Sequence, residues 1–278
     1  MTADQTPEDE RFVGVLLKDR YQVEDKLGQG GMAAIYGATD TELGRKVVVK
    51  VPLLKFLDGE GFKERFELEI QGMINIEHPH VVSIFAKGEH EGVPYFVIQY
   101  LAGGSLEDRV EAEADQRLEP KLLARWINRI ADALDFIHAR GIVHRDINPG
   151  NILFDDAGNV ALSDFGVAKA LGEEDSAMTA AGFSVGSPEY MAPEQASGGV
   201  LGPASDQYAL GVTVYTCLCG KAPYEHENVL VLLAKKNSEE APPLTNYGFT
   251  QEVSDVVQRS LAVAPEERYE SCRDFASA

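Results

Sequence analysis

The hydrophobic pattern changes period once along the chain, and that single change limits the folds open to it. From Tyr21 to Leu101 the apolar residues come in short runs rich in β-branched side chains: "YQVEDKL", "AAIYGATD", "RKVVVKV", "VVSIFAKGE" and "VPYFVIQYL". Runs of this length predict strands. One helix interrupts them, because Phe62, Phe66, Ile70 and Met73 recur at helical spacing in "GFKERFELEIQGMINIEH", which closes at His78-Pro79. After "AGGSL" the period becomes helical. Leu122, Leu123, Trp126, Ile130, Leu134 and Ile137 predict one stripe of a long helix stopped by Gly141. Further helices are expected at "SDQYALGVTVYTCLCG", "ENVLVLLAKK" and "QEVSDVVQRSLA". A chain of 278 residues is long for one core. An α+β chain is therefore expected, with a small β-rich lobe and a larger helical lobe sharing a cleft.

Composition narrows the partners. A formal charge of −20 argues against nucleic acid and anionic membrane surfaces, which need basic patches. No apolar run approaches the roughly 20 residues of a membrane span. The leader, residues 1–18, is polar and acidic and has no apolar segment of the signal-peptide kind. Three cysteines make no disulfide framework, which points to a reducing, cytoplasmic setting. Cys217 and Cys219 lie inside an apolar run and read as buried structural thiols. The stop after "CRDFASA" suggests a piece of something longer, such as the cytosolic domain of a membrane-anchored protein.

Several residues carry chemistry. Gly28, Gly30 and Gly31 between two strands let backbone N–H groups approach an anion closely. Lys50 in a buried strand calls for a carboxylate, and the following helix offers Glu64, Glu67 and Glu69. In "IVHRDINPGNILF", Asp146 can accept a proton from a hydroxyl and Asn151 can offer an amide oxygen to a metal. Asp164 in "SDFG" adds a hard oxygen ligand. His78 and His80 in "HPH" read as turn residues and Trp126 as core. Singly, each of these residues is an ordinary cap, turn former or core side chain.

The ordered set "GQGGMAAI", "VVVK", "HRDINPGN", "DFG" and "APE" resembles the protein kinases of the eukaryotic type over residues 19–278. "LLKDRYQV" and "GSPEYMAPEQ" are similar to its bacterial Ser/Thr members. The resemblance implies the bilobal protein kinase fold. A small antiparallel sheet with one helix would form the N-lobe (19–98), followed by a hinge (99–104) and a mainly helical C-lobe (105–278). It implies a Ser/Thr protein kinase that uses ATP and Mg²⁺, with Mn²⁺ as the alternative ion. Its substrates would be protein Ser/Thr hydroxyls, with activation-segment autophosphorylation in trans within a homodimer.

The resemblance also implies individual roles. Lys50 would hold the α/β-phosphates, paired with Glu69; Asp146 would be the base; Asn151 and Asp164 would hold the metal. Gly28, Gln29, Gly30 and Gly31 would cover the nucleotide. Ile35, Val48 and Leu153 would sandwich adenine, with backbone groups of Gln99 and Leu101 on its edge and Ile98 as gatekeeper. Met73, Ile84, His144 and Phe165 would form a hydrophobic column. Glu194 would pair with Arg268, and Asp206 would brace the catalytic loop. Arg145 would receive a phosphate carried by Thr179, Ser184 or Ser176, and Ser187 would lie beside the base.

Three positions depart from the family pattern. Ala33 replaces the third loop glycine, Val48 replaces the usual alanine above adenine, and Asn148 stands where Ser/Thr members carry a lysine. Removing one donor to developing charge costs ~2.7–4 kcal/mol, and a neutral amide restores roughly half of a charge-assisted bond. Slowing by about ten- to a hundred-fold is expected. The alternative is a pseudokinase, a nucleotide-binding regulatory module disabled at Asn148. A small-molecule kinase ranks last, since that class usually lacks both "GQGG" and "SPEYMAPE".

Overall fold

The structure is a computed structural model that describes residues 11–31, 33–57, 62–164 and 187–278. Its contacts divide the described chain into two compact units. The first contains residues 11–77 and 82–100; the second contains 78–81, 101–164 and 187–278.

The first unit is built on an antiparallel six-stranded sheet. Its strands are β1 (Leu16–Leu17), β2 (Tyr21–Gln29), β3 (Ala33–Asp40), β4 (Arg45–Pro52), β5 (Ile84–His90) and β6 (Val93–Gln99), in the order β1-β2-β3-β4-β6-β5. Period-two alternation gives the sheet two apolar faces. Ala34, Tyr36, Ala38, Val47, Val49, Val51, Tyr95 and Val97 pack into one core with Phe12 and Tyr21. Ile35, Val48, Lys50, Phe96 and Ile98 therefore lie on the other face. Helix α2 (Phe62–Ile74) packs there, with the Phe66 and Phe96 rings 5.9 Å apart. Its stripe is the expected one: Phe62, Phe66, Ile70 and Met73 are all buried. A one-turn helix, α1 (Leu54–Leu57), precedes it and was not expected.

Two sequence expectations shift. The strand expected from "VVSIFAKGE" starts only at Ile84, because Val81 pairs in parallel with Leu162 and belongs to the second unit. In α4 (Pro120–His138), Leu123, Trp126, Ile130, Leu134 and Ile137 are buried, but Leu122 is exposed. At 3.6 residues per turn, Leu122 lies roughly a quarter-turn from the centre of that stripe, at its edge.

The second unit gathers around α6 (Pro203–Cys219), a helix buried on nearly all sides, as its apolar run requires. Both α4 and α8 (Gln251–Ser260) pack on it. Cys217 and Cys219 are buried in it, and burial pushes their thiols up to about 12 and about 11. Also present are α3 (Leu106–Ala112), α5 (Pro193–Ala196), α7 (Val229–Ser238) and α9 (Cys272–Ser277). A capping box between Ser105 and Asp108 opens α3. A two-stranded hairpin, β7 (Ile152–Phe154) and β8 (Val160–Leu162), frames the segment that carries the chemistry. Gly103 fits against it, donating to Phe154 O at 2.7 Å, and any Cβ there would collide with the carbonyls of Phe154 and Asp155. Among the described residues, no helix is long and apolar enough to cross a membrane.

Candidate active site

In the second unit the site rests on Asp206, 1% exposed near the start of α6. A buried carboxylate needs donors, and three converge on it. Oδ2 accepts the His144 N–H at 2.7 Å and His138 Nε2–H at 2.7 Å, and Oδ1 accepts the Arg145 N–H at 2.8 Å. The Asp206 brace implied by the family resemblance is thus present. It holds Arg145 in a left-handed backbone conformation, φ +73°, which costs a non-glycine residue on the order of 1–3 kcal/mol. His144 is fully buried. It donates from Nε2 to Ser163 O at 2.7 Å and accepts the Asp146 N–H on Nδ1 at 3.3 Å. The backbone at Asp146 is fixed by these bonds.

Two amides hold the Asp146 carboxylate. Asn148 Nδ2 donates to Oδ1 at 3.0 Å, and Asn151 Nδ2 donates to Oδ2 at 2.9 Å. Each reaches the Asp146 carbonyl as well, at 3.3 and 2.8 Å. The Asn148 oxygen accepts the Asn151 N–H at 3.2 Å and so caps the 3-10 turn Pro149–Asn151. Asn148 is 9% exposed. Its side chain turns into the loop, where it grips the carboxylate and the turn beside it. Gly150 leaves it room: a Cβ there would meet Asn148 Oδ1 at 3.1 Å and Glu107 Oε2 at 3.2 Å.

The Asn151 amide commits its donor to Asp146 and leaves its oxygen for a cation. Its carbonyl accepts the Ser163 N–H at 2.9 Å and Ser163 Oγ–H at 3.1 Å, which ties it to the residue before Asp164. Asp164 has a positive φ of +63°. An amide oxygen and a carboxylate are hard donors that fit Mg²⁺.

Arg145, Asp146, Ser187, Tyr190, Met191 and Gln195 line a small depression. Gln195 Nε2 donates to Arg145 O at 3.0 Å. The segment is anchored by Lys236 on α7, 1% exposed, whose Nζ donates to Glu189 O at 2.6 Å and Met191 O at 2.8 Å. Burial pulls this ammonium down to about 7, against the upward pull of Glu189. Glu194 and Arg268 form the expected pair, a fork with both contacts at 2.8 Å. Burial pushes the Glu194 carboxyl up, and the Arg268 guanidinium more than reverses that. Leu153 is half-buried in β7 and bridged to Ser105.

The first unit carries the remaining candidates. Gly28 and Gln29 end β2, and Gly30 N–H donates to Ala33 O at 2.9 Å across the turn to β3. A Cβ at Gly28 or Gly31 would meet nothing within 4 Å, and one at Gly30 only Ala33 O at 3.8 Å. The turn is thus open to a group approaching its backbone. Ile35 pairs with Lys50, Lys50 with Phe96, and Val48 with Ile98. Val48 and Lys50 therefore share the sheet face that α2 covers. Of the three glutamates proposed as partners of Lys50, Glu64 and Glu67 are exposed and Glu69 is half-buried. The Gln99 N–H donates to Ser83 O at 2.9 Å, and Leu101 opens the second unit. Met73 and Ile84 are buried. Phe165, Ser176, Thr179 and Ser184 lie outside the described residues.

Sequence reasoning missed His138 and Lys236. A Lys one turn beyond Leu232 and Leu233 on the buried side of α7 was a signal for the second. His78 and His80 are structural as expected: His78 Nε2 lies 3.1 Å from Asp132, and His80 Nδ1 2.8 Å from Val160 O.

The "Protein kinase domain" family model matches residues 21–276. The serine/threonine-protein kinase PrkC of Bacillus subtilis is 34% identical over 266 residues, 95% of this chain and 40% of that protein. PknA of Mycobacterium tuberculosis, also a serine/threonine-protein kinase, is 35% identical over 270 residues, 96% of this chain and 62% of that one. The crystal structure of the Mycobacterium tuberculosis PknI kinase domain superposes with a TM-score of 0.76 at 26% identity, covering 95% of this chain and 96% of that one. The chain thus spans only part of the length of these curated relatives.

Proposed function

The chain belongs to the protein kinase domain family, and on that premise we propose that it is a Ser/Thr protein kinase that transfers the ATP γ-phosphoryl group to protein hydroxyls. The observation that carries the reading is the Asp146 carboxylate, held at both oxygens by Asn148 and Asn151 over a backbone braced by Asp206. Asp146 keeps lone pairs beyond those two bonds and serves as the base that accepts the substrate hydroxyl proton. Ser187, in the same depression, positions that hydroxyl.

Lys50, with Glu69 behind it, holds the α/β-phosphates; Gly28, Gln29, Gly30 and Gly31 close over them through backbone N–H groups. The family resemblance assigns Ile35 and Val48 of the first unit and Leu153 of the second to adenine, with Gln99 and Leu101 for its edge and Ile98 as gatekeeper. The Gln99 N–H is engaged with Ser83, so its carbonyl makes that contact. Asn151 and Asp164 hold Mg²⁺, with Mn²⁺ as the second ion to test. A cation held there would neutralise charge on the phosphates. Arg145 receives a phosphate from the activation segment, Thr179 first and then Ser184 or Ser176, added in trans within a homodimer. The chain acts in the cytoplasm, where ATP is available, alone or as part of a membrane-anchored protein.

The pseudokinase alternative rests on the charge absent at Asn148. The relatives are named as kinases, and Asn148 is engaged with the base, so turnover is the better reading. The test is intact mass after incubation with Mg·ATP, for wild type and Asp146→Asn. Phosphate should appear on the wild type alone. A wild type that gains no phosphate and turns over no ATP would overturn the proposal.

A further inference from the structure

A second cluster of reactive side chains lies away from Asp146, where the end of α4 meets the starts of α6 and α9. It opens on a groove of about 440 Å³ lined by Asp135, His138, Gln207, Cys272, Arg273 and Asp274. We propose that Asp135, His138 and Cys272 form a binding site for a zinc-class divalent cation.

Three independent features carry this. The first is the donor set: a carboxylate oxygen, an imidazole nitrogen and a thiol sulfur all lie within 4.8 Å of one another. Tetrahedral zinc with bonds of roughly 2.0–2.3 Å places ligand atoms about 3.3–3.7 Å apart. Side-chain rotation of about an ångström closes the difference, and water from the groove supplies the fourth ligand.

The second is the state of His138. Its side chain is 6% exposed, and Nδ1 has no hydrogen-bond partner among the described residues. Nε2 donates to Asp206 Oδ2 at 2.7 Å. Nδ1 lies 4.0 Å from Asp135 Oδ1, beyond hydrogen-bond distance. A polar atom buried without a partner is costly, and a cation between Nδ1 and Asp135 Oδ1 would give Nδ1 one.

The third is the shell around these ligands. A carboxylate that binds the far nitrogen of a metal-ligating imidazole fixes its tautomer and raises its basicity; Asp206 does this to His138. Asp135 accepts the Cys272 N–H at 3.0 Å and the Arg273 N–H at 3.1 Å, which orients it and leaves it lone pairs. On binding, Cys272 releases its thiol proton to solvent as the metal–sulfur bond forms, and no electrons are transferred. Because Asp206 also holds the backbone of His144 and Arg145, the cation would buttress the loop that carries Asp146.

The probe is Co²⁺ added to the whole, chelator-treated chain in excess Mg²⁺, which keeps harder oxygen sites filled. One equivalent should bind with a cobalt–thiolate charge-transfer absorption, displaced by stoichiometric Zn²⁺. Cys272→Ala should abolish the band, and Asp135→Asn, which keeps an acceptor for only one of the two N–H groups, should weaken binding at least tenfold, with a thermal melt to confirm folding. A wild-type protein without a thiolate band overturns the proposal. So does a band that survives in folded Cys272→Ala, since the sulfur would then be Cys217 or Cys219.

Discussion

Replacing Asn148 by Asp changes one atom at the candidate base and tests the site through charge. The amide nitrogen lies 3.0 Å from Asp146 Oδ1. Substituting a carboxylate oxygen there turns a hydrogen bond into a contact between like charges. Two unit charges at that distance repel by about 1.4 kcal/mol in water and about 5.5 kcal/mol at an effective dielectric of 20. One pKa unit corresponds to about 1.36 kcal/mol, so deprotonating the pair becomes harder by roughly one to four units. Asn148 is 9% exposed, which places the effect in the upper part of that range. If Asp146 accepts the hydroxyl proton, the acid limb of kcat/KM moves up by at least about one unit. The loss of activity is then greatest on the acid side of the profile and shrinks as the pH rises. Asn148→Ala is the control: it removes the donor, worth about 1.5–3 kcal/mol to a charged acceptor, without adding charge, and should move the limb less. Initial rates on a Ser/Thr protein substrate from acid to alkaline pH would give the profiles, with thermal melts at each pH to confirm folding. An Asp variant that keeps the wild-type profile, with rates within twofold, would refute the reasoning.

Gly150→Ala should lower kcat several-fold, because its Cβ would press on Asn148 Oδ1 and Glu107 Oε2; combined with Asn148→Ala in a double-mutant cycle, the two should couple by at least about 0.5 kcal/mol. Lys236 has a folded pKa of about 7 against 10.5 for the free side chain, so the unfolded state binds more protons between those values. Stability should therefore rise by a few kcal/mol from pH 7 to 10, and urea unfolding of Lys236→Met should show that slope lost. Glu194→Gln leaves the Arg268 guanidinium, fully buried in its side chain, without its carboxylate. Urea unfolding should show a loss of about 3–5 kcal/mol.

What was legible in the sequence was what neighbouring residues decide. Phe62, Phe66, Ile70 and Met73 write α2 into a short window, and the β-branched run at 47–51 writes β4. The hairpin β7–β8 was missed because three residues per strand are too few to display a period. Leu122 was misread because a helical stripe has an edge whose burial depends on what packs there. Motif order was enough to single out Lys50, Asp146, Asn151 and Asp164, as ordered motifs are read along the chain. The His138–Asp206 bond joins residues 68 apart, and the Lys236 bonds span 45 and 47. Such partners are chosen by the fold, so no local pattern announces them.

Asn148 marks where a motif read by type alone runs out. Against the family pattern it is a missing cation, and the energy assigned to it is that of a lost donor to the phosphoryl group. In the folded loop the short amide spans the gap between the Asp146 carboxylate and the Asn151 N–H. Its donor and acceptor are both engaged there. A lysine offers no acceptor, so Asn148→Lys would give up the cap on Pro149–Asn151 in exchange for its charge. The substitution is therefore a change of partner as well as a loss of charge. Gly150, which leaves space beside the amide, belongs to the same local arrangement, and positions 148 and 150 are best altered together.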